Sequence, residues 1–103
     1  MTISPGNTSR VVHLVRAALE MQTYLEEALA SLHAPCRVEW KTPAGGWDAL
    51  PDHAVLVVKT GKGQIQAQFS REVIEAFPAT KGSGQTSKTL LQLAQRAASK
   101  PAA

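Results

Sequence analysis

Apolar and polar residues alternate most regularly over Ala54–Phe69, AVLVVKTGKGQIQAQF, and the alternation predicts a β-hairpin. Val and Leu fill the first arm, and Gln alternates with Ile, Ala and Phe in the second. With Gly61-Lys62 as a two-residue loop, glycine takes the first central position, as a type II′ turn requires. That turn sets the register. Val58 then faces Ile65, Leu56 faces Ala67 and Ala54 faces Phe69 on one side, while Val57 faces Gln66 and Val55 faces Gln68 on the other.

Upstream the period changes to three and four. Val11, Val12, Leu14, Val15, Ala18, Leu19, Met21, Leu25, Ala28, Leu29 and Leu32 predict a long helix, capped by Thr8 or Ser9 and running to about His33, where Ala34-Pro35 stops it. Such a rod is ~36 Å long at 1.5 Å per residue, against ~20 Å for a typical strand. The overhang motivates a homodimer in which Leu14, Met21, Leu25 or Leu32 is covered by a second chain. Cys36–Lys41 alternates again and reads as a strand with Val38 and Trp40 inward. Thr42–His53 is a Pro/Gly-rich loop. Ser70 caps a short helix over Ser70–Phe77, ended by Pro78, and Ala79–Gln85 is a loop. Thr86 caps a last helix to about Ser99, with Leu90, Leu91, Ala94, Ala97 and Ala98 on its apolar side.

These elements predict an α+β fold. A long N-terminal helix leads into a three-stranded antiparallel meander, a short helix and a C-terminal helix, in two layers with the helices on one sheet face. The other face would carry Arg37, Glu39, Lys41, Gln64, Gln66 and Gln68 around Val55 and Val57. The chain reads as one domain: residues 1–7 a flexible arm, 8–99 the folded core, 100–103 a frayed tail.

Composition narrows the function classes. With 44% apolar and 18% charged residues, the chain belongs with globular rather than disordered proteins. A single cysteine, Cys36, leaves no intrachain disulfide, so a reducing compartment is expected. No apolar run is long enough for a membrane span. His13 and Arg16 interrupt what would be a signal-peptide core, so a cytoplasmic location is expected. The net charge of +3 is uneven: residues 76–103 carry Lys81, Lys88, Arg96 and Lys100 with no acid.

Little of this points to catalysis. Gly82–Thr89, GSGQTSKT, resembles a phosphate-binding loop, but Ser87 replaces the second glycine and no strand precedes it. Ser87, Lys88 and the helix start could still hold an isolated phosphate. Trp47, Asp48, Asp52 and His53 cluster in the long loop without a spacing that defines a metal or an acid–base pair. Trp47 is either a plug against the core or an exposed anchor for a partner. Cys36 opens an inward-facing series and reads as a buried small residue. His13 and His33 lie too far apart on one helix to share a metal, and His33 suits a helix C-terminus.

The order helix–three strands–helix resembles the double-stranded RNA-binding domain, with Gly82, Gly84 and Lys88 at the positions of its glycine-rich loop and basic last helix. An extra helix at Ser70–Phe77, one Lys in place of a cluster and a first helix twice as long depart from that pattern, and no family membership follows. The expectation is a non-enzymatic module, without cofactor or metal, that binds a protein partner and itself as a homodimer. Its candidate contacts are Trp47, Asp48, Asp52, His53, Val55 and Val57. The alternative is nucleic-acid binding through Lys59, Lys62, Lys81, Ser87, Lys88 and Arg96.

Overall fold

Hydrophobic periodicity becomes three helices and three strands in the computed structural model, which describes residues 5–34, 36–60, 63–82 and 84–99. In chain order they are α1 (Pro5–Ser31), β1 (Arg37–Lys41), β2 (His53–Thr60), β3 (Gly63–Ser70), α2 (Arg71–Thr80) and α3 (Gln85–Ser99), with a single 3-10 turn at Gly46–Ala49. The fold is α+β, and its helices pack on one face of an antiparallel sheet. None of the described helices is long and apolar enough to cross a membrane.

The sheet is the expected meander with β2 in the middle. Its hairpin register agrees at every pair deduced from the alternation: Val58 opposite Ile65, Leu56 opposite Ala67, Ala54 opposite Phe69, Val57 opposite Gln66 and Val55 opposite Gln68. The glycine assigned to the type II′ turn, Gly61, lies outside the described residues together with Lys62. On the helix side Val38, Leu56, Val58, Ile65 and Phe69 are buried, and Trp40 is half-buried. They meet Leu14, Ala18, Met21, Leu25 and Leu29 of α1, Ile74 and Phe77 of α2, and Leu90, Leu93, Ala94 and Ala97 of α3 in one core.

The helix ends differ from expectation. α1 begins at Pro5, so Thr8 and Ser9 are helical rather than capping, and Pro5–Asn7 belong to the helix instead of a loose arm. Proline suits a first helical position, where its missing N–H would have had no partner. At the other end α1 stops at Ser31, short of His33. His33 turns left-handed at φ 56°. Its N–H donates to the Ala30 carbonyl at 3.0 Å and that of Ala34 to Leu29 at 2.9 Å, a Schellman cap. The expected stop residue Pro35 lies outside the described residues.

Ser70 caps α2 as expected, its hydroxyl accepting from the Val73 N–H at 3.3 Å. Pro78 does not end α2, which runs on to Thr80. The one bond proline removes, to the Ile74 carbonyl, falls in the last turn, where few bonds remain to be lost. α3 starts at Gln85, so Thr86 is not its cap: Lys88 N–H already reaches the Gly84 carbonyl at 3.3 Å. Its buried face uses Leu93, whereas Leu91 is exposed.

Candidate functional site

The sequence offered two surfaces for a partner, the Trp47 loop and the open sheet face, and both are more closed than expected. Trp47 sits in the 3-10 turn with its ring edge-on to Trp40, centroids 5.6 Å apart. Trp40 in turn lies edge-on to Phe69 at 6.1 Å and donates its indole N–H to the Ala18 carbonyl at 2.9 Å. Trp47 is therefore half-buried against the core rather than a free anchor. Arg71 ties down the far end of the same loop. Its guanidinium donates to the Leu50 carbonyl and stands 3.8 Å from Asp52, and its backbone N–H donates to the Asp52 carbonyl at 2.7 Å. Asp48, Asp52 and His53 remain exposed. Asp52 and His53 border a shallow depression with Pro43, Ala49 and Pro51. Among the described residues no three His, Cys, Asp or Glu side chains come together as a metal site.

On the open sheet face Val55 is half-buried and Val57 is 0% exposed, so Val57 offers nothing to a partner. The cause is tertiary. Its cross-strand neighbours are Glu39 and Gln66, and a Lys59–Glu39 ion pair at 2.8 Å spans the same face. Long side chains at such positions can lay their aliphatic stems over a neighbour while their polar ends meet water. The Lys59 ammonium, first through its hydrogen bond, and the nearby Arg37 and Lys41 hold the Glu39 carboxyl below its ordinary value of 4.5.

The phosphate candidates do not converge either. Ser87 is only 2% exposed, and its hydroxyl oxygen accepts from the Gly82 N–H at 2.7 Å, so it is a structural residue of the α2–α3 connection. Lys81 and Lys88 are exposed on either side of that connection, and Arg96 is exposed further along α3. Lys59 is committed to Glu39, and Lys62 lies outside the described residues.

The expected dimer contacts also change. Leu14, Met21 and Leu25 are fully buried within one chain, which leaves them nothing to offer a second copy; of that set only Leu32 is exposed. What the sequence reading missed is a second stripe on α1. Val12 and Leu19 are 52% and 54% exposed. With Val11, Val15 and Arg16 they line a shallow groove along the helix. Val12, Val15 and Leu19 recur at i, i+3 and i+7, one helix face about two turns long. The signal was present in the sequence as an apolar arc too wide for a single buried face. Comparison with protein-family models, with curated proteins and with solved structures gives no match to this chain.

Proposed function

We propose that this chain is a non-catalytic protein-interaction module of the cytosol, and that its docking site is the Val12–Val15–Leu19 stripe of α1. The observation that carries the reading is the exposure of Val12 and Leu19 beside a core that needs neither. Exposed apolar surface rimmed by polar residues is the usual form of an interaction site. The occupant is an amphipathic helix of a partner protein carrying carboxylates on its flank. Helix-in-groove recognition reads apolar anchors at i, i+3/i+4 and i+7, the spacing this stripe itself displays. Arg16 borders the groove and forms no ion pair among the described residues, so a carboxylate on the partner helix has a cation to meet.

The test uses two synthetic helical peptides with the same leucine stripe, one flanked by Glu and one by Lys. Fluorescence anisotropy should show the Glu peptide binding about tenfold more tightly, and Leu19→Ser abolishing binding without unfolding an exposed site. Equal affinity for both peptides, or binding untouched by Leu19→Ser, would reject the reading. Binding of random duplex DNA whose log–log salt slope drops by about 0.9 on Lys88→Ala would instead place function in the α2–α3 connection.

A further inference from the structure

The outer edge of β3 is a long unpaired backbone surface. β3 runs for eight residues at the rim of the sheet, and β2 is its one strand partner among the described residues. The register decides which backbone groups face outward. Arg71 N–H donates to the Asp52 carbonyl, one step beyond the His53–Ser70 pair. In an antiparallel ladder hydrogen-bonded and non-hydrogen-bonded pairs alternate. The bonded pairs of the hairpin are therefore Ala54–Phe69, Leu56–Ala67, Val58–Ile65 and Thr60–Gly63. It follows that the N–H and C=O groups of Gln64, Gln66 and Gln68 point away from β2, with no strand among the described residues to receive them. The three glutamine side chains are exposed on the open face and carry no charge.

The two rims of this sheet contrast. β1 is five residues long and presents Arg37, Glu39 and Lys41. An antiparallel copy centred on Glu39 would oppose Glu39 to itself and Arg37 to Lys41, like charges in every row of the open face, which is destabilising. That rim is guarded in the way natural sheets guard their edges. β3 has no charged residue and no proline, and its unbroken register with β2 leaves no bulge. Centred on Gln66, β3 is instead complementary to itself. Gln66 meets its own counterpart, Gln64 meets Gln68, and on the helix side buried Ile65 meets half-buried Ala67.

We propose that β3 is the seam of a symmetric homodimer, two copies joined edge to edge and antiparallel about a dyad at Gln66. The product is a six-stranded sheet with both helical layers on the same face, because residues paired across strands share a face. The outward amides of Gln64, Gln66 and Gln68 supply the backbone bonds. The seam uses β3 and no residue of the α1 stripe, so the proposal is tested separately from the docking role given to that helix.

Sedimentation velocity of the full chain at micromolar concentration should give a species of twice 11.0 kDa. Gln66→Pro removes an outward N–H without touching the bonds to β2, and Gln66→Lys sets like charges against each other at the dyad. Both should be monomers, and Gln66→Lys, at an exposed site, should keep the far-UV circular dichroism of the wild type and so answers for the proline variant if that one fails to fold. Register is tested by disulfide trapping in a Cys36→Ser background. Gln66→Cys should cross-link under mild oxidation, because paired residues stand ~5.5 Å apart at their Cα atoms. Gln64→Cys should not, since its counterpart lies four residues along the seam, ~13 Å away. A wild-type monomer across the micromolar range, a dimer that survives Gln66→Lys, or equal cross-linking at both positions would overturn the proposal.

Discussion

Trp47 decides between two pictures of the long loop, and Trp47→Ala separates them. A buried tryptophan hides about 150–250 Å² of surface, so a half-buried one hides about 100 Å². At ~25 cal/mol per Å² that contributes about 2.5 kcal/mol. The edge-on contact with Trp40, centroids 5.6 Å apart and planes at 76°, adds about 0.5–1.5 kcal/mol more. Truncation should therefore cost about 3 kcal/mol, a large part of the 5–15 kcal/mol typical of a domain. With a urea dependence of ~1–1.5 kcal/mol/M for a small protein, the midpoint should fall by about 2 M. Far-UV circular dichroism is the suitable probe, because Trp40 and Trp47 are the only two tryptophans and removing either changes the fluorescence baseline. A cycle with Trp40→Phe should return a coupling of about 1 kcal/mol if the rings touch as described. An exposed anchor behaves differently: the midpoint stays put and only partner binding suffers. A stability change below about 0.5 kcal/mol would refute the packed ring, since that is the range of ordinary surface substitutions.

Two further outcomes test the same loop and the open sheet face. Gly45 opens the 3-10 turn at φ 94°, and a Cβ there would lie 2.8 Å from the Ala49 Cβ, so Gly45→Ala should cost more than about 2 kcal/mol in thermal or urea unfolding; a neutral result would show that the turn is built otherwise. The Glu39 carboxyl titrates below its ordinary 4.5 in the folded chain, so its pairing with Lys59 contributes fully above pH 4.5 and is lost as pH falls through the lower folded value. The stability gap between wild type and Glu39→Gln should accordingly be present at neutral pH and close on acidification, and a gap that widens toward low pH would contradict that assignment.

The hairpin was readable to the residue because two independent constraints agreed. A two-residue loop allows one register, and the period-two pattern tolerates no slip without moving Leu56, Val58 and Phe69 from the core face to solvent. Helix ends lacked such redundancy. His33 takes a left-handed conformation with no glycine to announce it, and Pro78 is tolerated because a lost bond costs little near a helix end. On α3 the run Leu90-Leu91-Gln92-Leu93 fits two overlapping apolar faces, and only packing against the core selects Leu93. The site residues were harder still. That Val57 is fully buried on the open sheet face, or that the Ser87 hydroxyl is spent on the Gly82 N–H, depends on contacts that no local pattern encodes.

The chain's own protections make its two bare surfaces informative. Like charges deter self-pairing at β1, and an ion pair flanks the valine at the centre of the open sheet face. A sequence that deals with exposed edge and apolar surface in those places leaves β3 uncharged and Val12 and Leu19 in water. Neither feature is needed for folding. Exposed valine and leucine contribute little that a polar helix former would not, and a lysine on the outer face of β3 would keep every bond to β2. Residues that stability does not require, set where aggregation is the hazard, are most economically explained by surfaces that are covered in use. On the two proposals made above, the helix stripe would take a side-chain partner and the strand edge a backbone partner. The two lie on different elements and share no residue, so each can be altered without changing the other.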